Sequence, residues 1–372
     1  MEDILIIGGG LAGLTNAILL AKAGLDVTLI EKKEYPFHRL CGEYVSNEAL
    51  PFLNSLGIDP FEHGASIIDE LILSTPAGNL LKTSLDLGGF GMSRYVLDEL
   101  LYKKALEAGV KFHLKTRVME LNFTNDTDSF EIILSNGKTL ISKVAIGSFG
   151  KRSSLDRQLQ RPFFKKRSPY VAVKYHIKTD FPSNAIALHI FKDGYCGVNP
   201  VEDGKVCLCY LTTRENLKNS GSIPELEQHI LKQNQYLKDI LDHAEILYDK
   251  PEVINEVSFA SKETVVNHVL MCGDAAGMIA PLCGNGMAMA IHGAKICSEE
   301  VVKYFNTHHS RSVLENTYSK RWNKVFSARL ARGRFFQNLF YKPFIMENGV
   351  NFCNAIPLFG RWLVKQTHGE TF

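Results

Sequence analysis

The stretch "ILIIGGGLAGLTNAILLAKAG", Ile4 to Gly24, decides the fold. Its first four residues are a continuous apolar run, the pattern of a strand buried on both faces of a parallel sheet. Gly8, Gly10 and Gly13 follow in G-x-G-x-x-G spacing. Leu14, Ala17, Ile18 and Ala21 then recur at helical intervals, and Gly24 stops the helix. "DVTLIE" supplies a second strand that ends at Glu31. Each glycine has a physical task. Gly8 allows the tight turn, Gly10 lets the backbone approach a pyrophosphate, and Gly13 lets the helix pack closely on the strand. The helix N-terminus then faces the phosphates, and Glu31 accepts hydrogen bonds from a ribose. Strand, turn, helix, strand and acid in this order predict a dinucleotide site, without distinguishing FAD from NAD.

The remaining composition bounds the function. A chain of 372 residues with 45% apolar residues, 22% charged residues and net charge +2 reads as a globular protein, with nothing that points to nucleic acid. The basic residues Arg311, Lys320, Arg321, Lys324, Arg329, Arg332 and Arg334 cluster near the end. They read as a solvated helix face, with an anionic substrate or a membrane surface as the other reading. The eight cysteines lack zinc-type spacing, and no metal is expected. Cys207 and Cys209, two apart in a strand-like run, share a face. Reduced thiols, no recognisable leader and no apolar run long enough to span a bilayer suggest a cytoplasmic protein.

A second glycine-rich turn, "GDAAGMIAPLCGNGMAMAIHGA", spans Gly273 to Ala294 after the strand-like "VLMCGD". Ala290, Ala294, Cys297 and Val301 behind it share a helix face. With both turns in place, the chain resembles FAD-dependent oxidoreductases of the para-hydroxybenzoate hydroxylase fold, and among them the geranylgeranyl reductase branch. The resemblance implies that one FAD spans both turns. Gly8, Gly10, Gly13 and Glu31 would take its ADP half. Gly273 and Asp274 would take the ribityl chain, with Pro281, Gly284, Asn285, Gly286 and Met287 at the ring's pyrimidine edge. A helix N-terminus there would stabilise the negative charge that arriving hydride leaves.

Further motifs follow the resemblance. In "HRLCGE", Arg39 would contact the cofactor, and Cys41, Gly42 and Glu43 would approach the ring or the substrate, with Glu43 a candidate proton donor or acceptor. In "MSRYVLDEL", Arg94 matches an arginine set against the phosphate or ribityl region. Two departures stand out. "AIGSFGKRSSLDR" carries Phe149 where many hydroxylases have an aspartate, which leaves the NAD(P)H route open. "GYCGVNP" keeps Tyr195 and Pro200 of a prenyl-tunnel motif but has Gly197 and Asn199 where the motif has large aromatics. These four residues are the candidate substrate contacts, with Tyr195 also a candidate catalytic group. The tryptophan motif of the related halogenases is missing, and no histidine shares a spacing that suggests catalysis.

The expected fold is α/β. A Rossmann-like FAD-binding domain (1–69, 92–165 and 256–305) joins a mixed or antiparallel-sheet substrate domain (70–91 and 166–255) and C-terminal helices (306–372). The leading expectation for function is a monooxygenase that hydroxylates an apolar aromatic or polyketide-like molecule through a flavin hydroperoxide, with NAD(P)H as electron donor. The alternatives are an FAD-dependent reductase of isoprenoid C=C bonds, with Glu43 or Tyr195 supplying the proton, and a non-catalytic prenyl-lipid carrier of the same fold. In each case the partner is a lipophilic small molecule, with peripheral membrane contact a further option.

Overall fold

Ile4, Leu5 and Ile6 are fully buried at the centre of an eight-stranded sheet, as an unbroken apolar run demands. The computed structural model describes residues 1–165, 167–255, 257–280, 284–307, 309–340, 343–365 and 369–372. The strand Glu2–Ile7 lies parallel between Val27–Ile30 and Thr139–Gly147. Lys111–His113 lies beyond the first neighbour, and Val269–Met271 beyond the second. A hairpin of Val118–Thr124 and Ser129–Leu134 extends this sheet antiparallel. The helix Leu11–Lys22 packs on it at the distance the glycines permit. A Cβ on Gly13 would stand 1.9 Å from the carbonyl oxygen of Gly8. The helices Arg94–Glu107 and Gly286–Thr307 flank Leu11–Lys22.

The second sheet has nine strands and is antiparallel except where Ala185–Phe191 runs parallel to Ser66–Ser74. Tyr44–Ser46 pairs with Leu80–Gly91, as does Ser66–Ser74, so residues expected in the first domain are built into the second sheet. At its heart, Tyr170–Lys178, Val206–Thr213 and Gly194–Pro200 lie side by side. Val173, Val198, Leu208 and Tyr210 point outward into a core closed by Leu226 and Leu237. The residues between them point inward, towards the first domain.

The C-terminal helices hold the two sheets together. In Arg311–Phe340, Tyr318, Trp322 and Phe326 are buried in the first domain's core, and the Tyr318 hydroxyl donates to the Met271 carbonyl (2.5 Å). Further on, Val350 and Cys353 of Pro343–Ala355 pack against Leu81 of the second sheet. The basic run is therefore only partly a solvated face. Arg311 binds Asp128 (2.6 Å) and the Lys143 carbonyl, Arg321 binds Glu299 and Glu300, and Arg329 pairs with buried Glu48, whereas Lys320 and Lys324 are exposed.

Candidate functional site

The first turn is an uncapped helix N-terminus. Gly10 caps Leu11–Lys22 without a side chain, and the first helical turn holds no acid. Gly8 adopts φ 101°, and a Cβ there would stand 2.5 Å from the Ser148 carbonyl oxygen, so only glycine fits. Glu31 is buried. One of its oxygens accepts from the Gly9 amide (2.8 Å) and Arg39 (3.3 Å), and the other from the Lys33 amide (3.0 Å). Arg39 and Arg94 share the buried carboxylate of Asp98 at 2.7 Å each, which explains why an aspartate follows Arg94 by one helical turn. Burial works against the charge on Arg94, but Asp98 outweighs it and raises the pKa. The guanidinium of Arg94 lies 3.7 Å from where a Cβ of Gly10 would be.

The second turn meets the first. Gly273, at φ 64°, leaves room for only 2.9 Å between its own notional Cβ and that of Ala12. Two turns 260 residues apart in sequence are thus neighbours, as one long ligand requires. The carbonyl of Asp274 accepts from Lys262 (2.7 Å), whose pKa burial presses down to about 8 against the opposing pull of Asp274 and Asp156. Fully buried Arg161 ties the loop down through the Ala275 carbonyl (2.9 Å), Asp156 (3.0 Å) and the Glu263 carbonyl (3.0 Å). Neither Lys262 nor Arg161 stands in a motif that sequence reading could use. Gly284 (φ 67°) lies against the Tyr44 ring, and Asn285 and Met287 are buried where the helix Gly286–Thr307 begins. Pro281 lies outside the described residues. Phe149 packs on Gly147, an apolar ring where an acid was sought.

These residues fit a dinucleotide. A glycine-lined helix N-terminus without a capping side chain suits a pyrophosphate. The buried Ser148 hydroxyl beneath Gly8 has no hydrogen-bond partner among the described residues, and Gly42 has open space where a side chain would be.

The inner face of the second sheet carries the remaining candidates. Cross-strand register sets Leu211 beside Tyr195, Cys209 beside Gly197 and Cys207 beside Asn199, all on that face, so Cys207 and Cys209 do share a face. Pro200 alternates to the opposite face and is separated from the other three. At Gly197 a Cβ would meet only the Cys209 carbonyl (3.7 Å) and Leu188 (3.9 Å), which leaves room in front of the sheet. Asn199 turns its amide onto the carbonyls of Pro200 (3.3 Å) and Glu43 (3.5 Å), so it anchors backbone where a substrate contact was expected.

Glu43 lies at the centre of a buried ionic cluster. It takes φ 56°, and its carbonyl accepts from the Met92 amide. One carboxylate oxygen accepts from the Arg94 amide (2.8 Å) and the Lys174 ammonium, and the other meets His176 Nε2 at 2.5 Å. Lys174 also donates to the Arg39 carbonyl (3.2 Å). Burial pushes the Glu43 carboxyl up, but Lys174 and His176 together outweigh it and hold it at about 2. Burial pulls Lys174 down, and Glu43 more than restores it. These partners favour the ionised carboxylate, so of its two expected roles the surroundings of Glu43 suit the proton acceptor rather than the donor. Sequence spacing assigns no histidine a catalytic role, yet two lie at this site. His176 is in the cluster, and the ring of half-buried His38 stands 5.4 Å from it. Burial and the charges of Lys174 and His176 lower the pKa of His38. The signal was present in "YVAVKYHI", where Lys174 and His176 break the apolar pattern at two positions of one face. Cys207 Sγ lies within 4.8 Å of the Glu43 and His176 donor atoms, a spacing a metal could use. The ammonium of Lys174 on the same carboxylate opposes a cation there, so the trio reads as an ion-pair network.

Comparison with known proteins agrees with this fold. A digeranylgeranylglycerophospholipid reductase of Methanosarcina acetivorans is 26% identical over 339 residues, covering 87% of this chain and 81% of the relative. The structure of a geranylgeranyl bacteriochlorophyll reductase-like protein from Thermoplasma acidophilum superposes with a TM-score of 0.78 at 18% identity, over 92% of this chain and 88% of that one. The structure of a "probable FAD-dependent monooxygenase" from Pseudomonas aeruginosa gives 0.75 at 17% identity, over 94% and 99%. At such identities the two structures establish the fold alone. The model of the FAD-binding domain family matches residues 1–331, and the chain accordingly belongs to that family, as an FAD-dependent oxidoreductase.

Proposed function

We propose that the protein is an FAD-dependent reductase of C=C bonds in an isoprenoid-type lipid, with NAD(P)H as the electron source. The observation that carries this reading is the buried Lys174–Glu43–His176 cluster beside the inner face of the second sheet, a fixed store of protons next to an apolar wall. A hydroxylase has less need of such a store. The names of the curated relatives support the reductase over the monooxygenase, which was the leading expectation from sequence.

The ADP half of FAD would be held by Gly8, Gly10, Gly13, Glu31, Arg39 and Arg94. The ribityl chain and ring would be held by Cys41, Gly42, Gly273, Asp274, Asn285, Gly286 and Met287. Bound FAD supplies hydride chemistry. The residues supply the rest. Reduction adds a hydride to one carbon and a proton to the other, and Lys174 Nζ holds that proton. Glu43 stays ionised and steadies the ammonium. His176 holds the other Glu43 oxygen, with the ring of half-buried His38 beside it, and so keeps the carboxylate turned towards Lys174. Tyr195, Gly197 and Leu188 would line the apolar wall, and Asn199 would fix the Glu43 loop. Such a substrate would come from a lipid phase, by peripheral contact with a bilayer.

The test starts with a visible spectrum of the purified protein under anaerobic conditions before and after NADPH, then addition of a geranylgeranyl lipid. Bleaching followed by lipid-dependent reoxidation, with two hydrogens gained per double bond, is the expected result. Incorporation of labelled oxygen into the product in air would overturn it in favour of hydroxylation. A colourless protein that binds the lipid unchanged would favour a carrier.

A further inference from the structure

The end of the chain carries an apolar surface that the fold does not use. On the helix Pro343–Ala355, Val350 and Cys353 face inward onto Leu81, while Ile345 and Phe352 fall at helical spacing on the exposed side, and Ile356 just beyond the helix is exposed too. The next helix, Pro357–Lys365, continues the surface with Leu358, 77% exposed, and Trp362, 54% exposed. The ring of Phe352 meets that of Phe359 edge to face, with centroids 5.2 Å apart, and Phe359 stacks on Trp362 at 5.6 Å, so the patch is contiguous. Scattered surface hydrophobics need no explanation, but a joined aromatic patch of this kind does.

Charge identifies what covers it. Residues 329–365 hold six basic side chains and one acid, Glu347, in a chain whose net charge is only +2. That acid is turned towards the body, where it binds Thr75 (2.5 Å), Asn79 (2.6 Å) and the Ala77 amide (3.1 Å). Two of the bases, Arg329 and Arg361, pair with Glu48 and Asp86. An aromatic patch in a basic setting suits an interface with anionic lipid, where tryptophan and leucine sit at headgroup depth and the bases meet phosphates. The same charge disfavours a second copy of the chain, because a two-fold axis would bring like charges together. Among the described residues no helix is long and apolar enough to cross a membrane, so the contact is peripheral.

We propose that the outer faces of Pro343–Ala355 and Pro357–Lys365 dock on an anionic bilayer surface. The patch backs onto Leu81, whose strand neighbour Leu73 pairs with Leu188 of the inner face, so a docked bilayer lies beside the proposed substrate wall. Docking does not depend on the reaction, and its test does not use turnover.

The chain's two tryptophans make the test direct, since Trp322 is buried and Trp362 is exposed. The FAD-loaded full chain is mixed with vesicles of phosphatidylcholine alone or with phosphatidylglycerol added. The expected result is a blue shift of tryptophan emission and co-sedimentation with the anionic vesicles only, both weakened by salt. Leu358→Asp, an exposed change that leaves the core alone, weakens binding by roughly ten-fold or more. An unchanged spectrum with both vesicles overturns the proposal, as does equal binding to neutral lipid. A blue shift that grows with protein concentration without lipid, together with a dimer in sedimentation, assigns the patch to a second copy instead.

Discussion

The two glycine turns meet each other, and the Glu43 cluster reaches the first of them through Arg94, yet turns and cluster are built in opposite ways. Each turn is one run of neighbouring residues, and every glycine in it answers a backbone demand that can be stated from the sequence. The cluster draws on residues 43, 94, 174, 176 and 207, and only Lys174 and His176, on one face of one strand, are near one another in sequence. Contiguous sites are specified by local geometry. Assembled sites are specified by strand register, which a single sequence does not print.

The sharpest way to break this contrast is Glu43→Gln. If the cluster is a true ionic site, the substitution leaves the Lys174 ammonium buried without its carboxylate. Urea unfolding is then expected to lose about 3–5 kcal/mol. Adding Lys174→Met removes the stranded charge and should recover most of the loss. A single variant as stable as the parent would mean that water reaches Lys174 and that the cluster is a surface feature.

A pH series sharpens the same point without mutation. The Glu43 carboxyl is held at about 2 in the folded state against an ordinary value of 4.5. A depressed carboxyl pKa stabilises the fold above the ordinary value, and that contribution is lost as pH falls from 4.5 towards 2. The shift corresponds to something on the order of 3 kcal/mol. Urea midpoints at several pH values across this window should fall less steeply in Glu43→Gln than in the parent.

The turns are tested by Gly13→Ala. The added methyl would meet the Gly8 carbonyl oxygen at 1.9 Å, so helix and strand must part. About 1–3 kcal/mol of stability is expected to go, with weaker retention of flavin colour through purification. Stability lost without any loss of flavin would make Gly13 a packing residue only.

Much of the fold was legible for the reason the turns are. The run Ile4–Ile7, the helix Leu11–Lys22 and Glu31 fall where period and glycine spacing put them. Less was legible where a residue's partner is distant. Arg161 and Lys262 hold the Asp274 loop through carbonyl contacts, which leave no mark on composition. Asn199 looked like a polar substrate contact because it replaces an aromatic, yet its amide satisfies backbone carbonyls. Pro200 looked like its companion because it is adjacent, and adjacency in a strand means opposite faces. Lys174 and His176 could have been found by reading "YVAVKYHI" at period two and asking why one face carries two ionisable groups.

Gly197→Trp is the mildest test and bears on the least legible region. The position lies on the inner face with ordinary van der Waals distances ahead of a Cβ, at 3.7 and 3.9 Å, and its φ does not demand glycine. An indole there should therefore enter the space before the sheet without breaking the pairing to Cys209, at a cost to stability of no more than about 1 kcal/mol. Flavin content should be unchanged, because none of the residues assigned to FAD touches Gly197. If the space is the substrate wall, KM for a prenyl lipid shifts by several-fold while NADPH-driven bleaching proceeds at the parent rate. The direction is informative. A lower KM means that the glycine had widened the wall beyond what a prenyl chain fills. A higher KM means that the natural substrate is bulkier and needs the room. Unchanged KM and kcat would place the substrate elsewhere and leave the inner face as support for the Glu43 cluster.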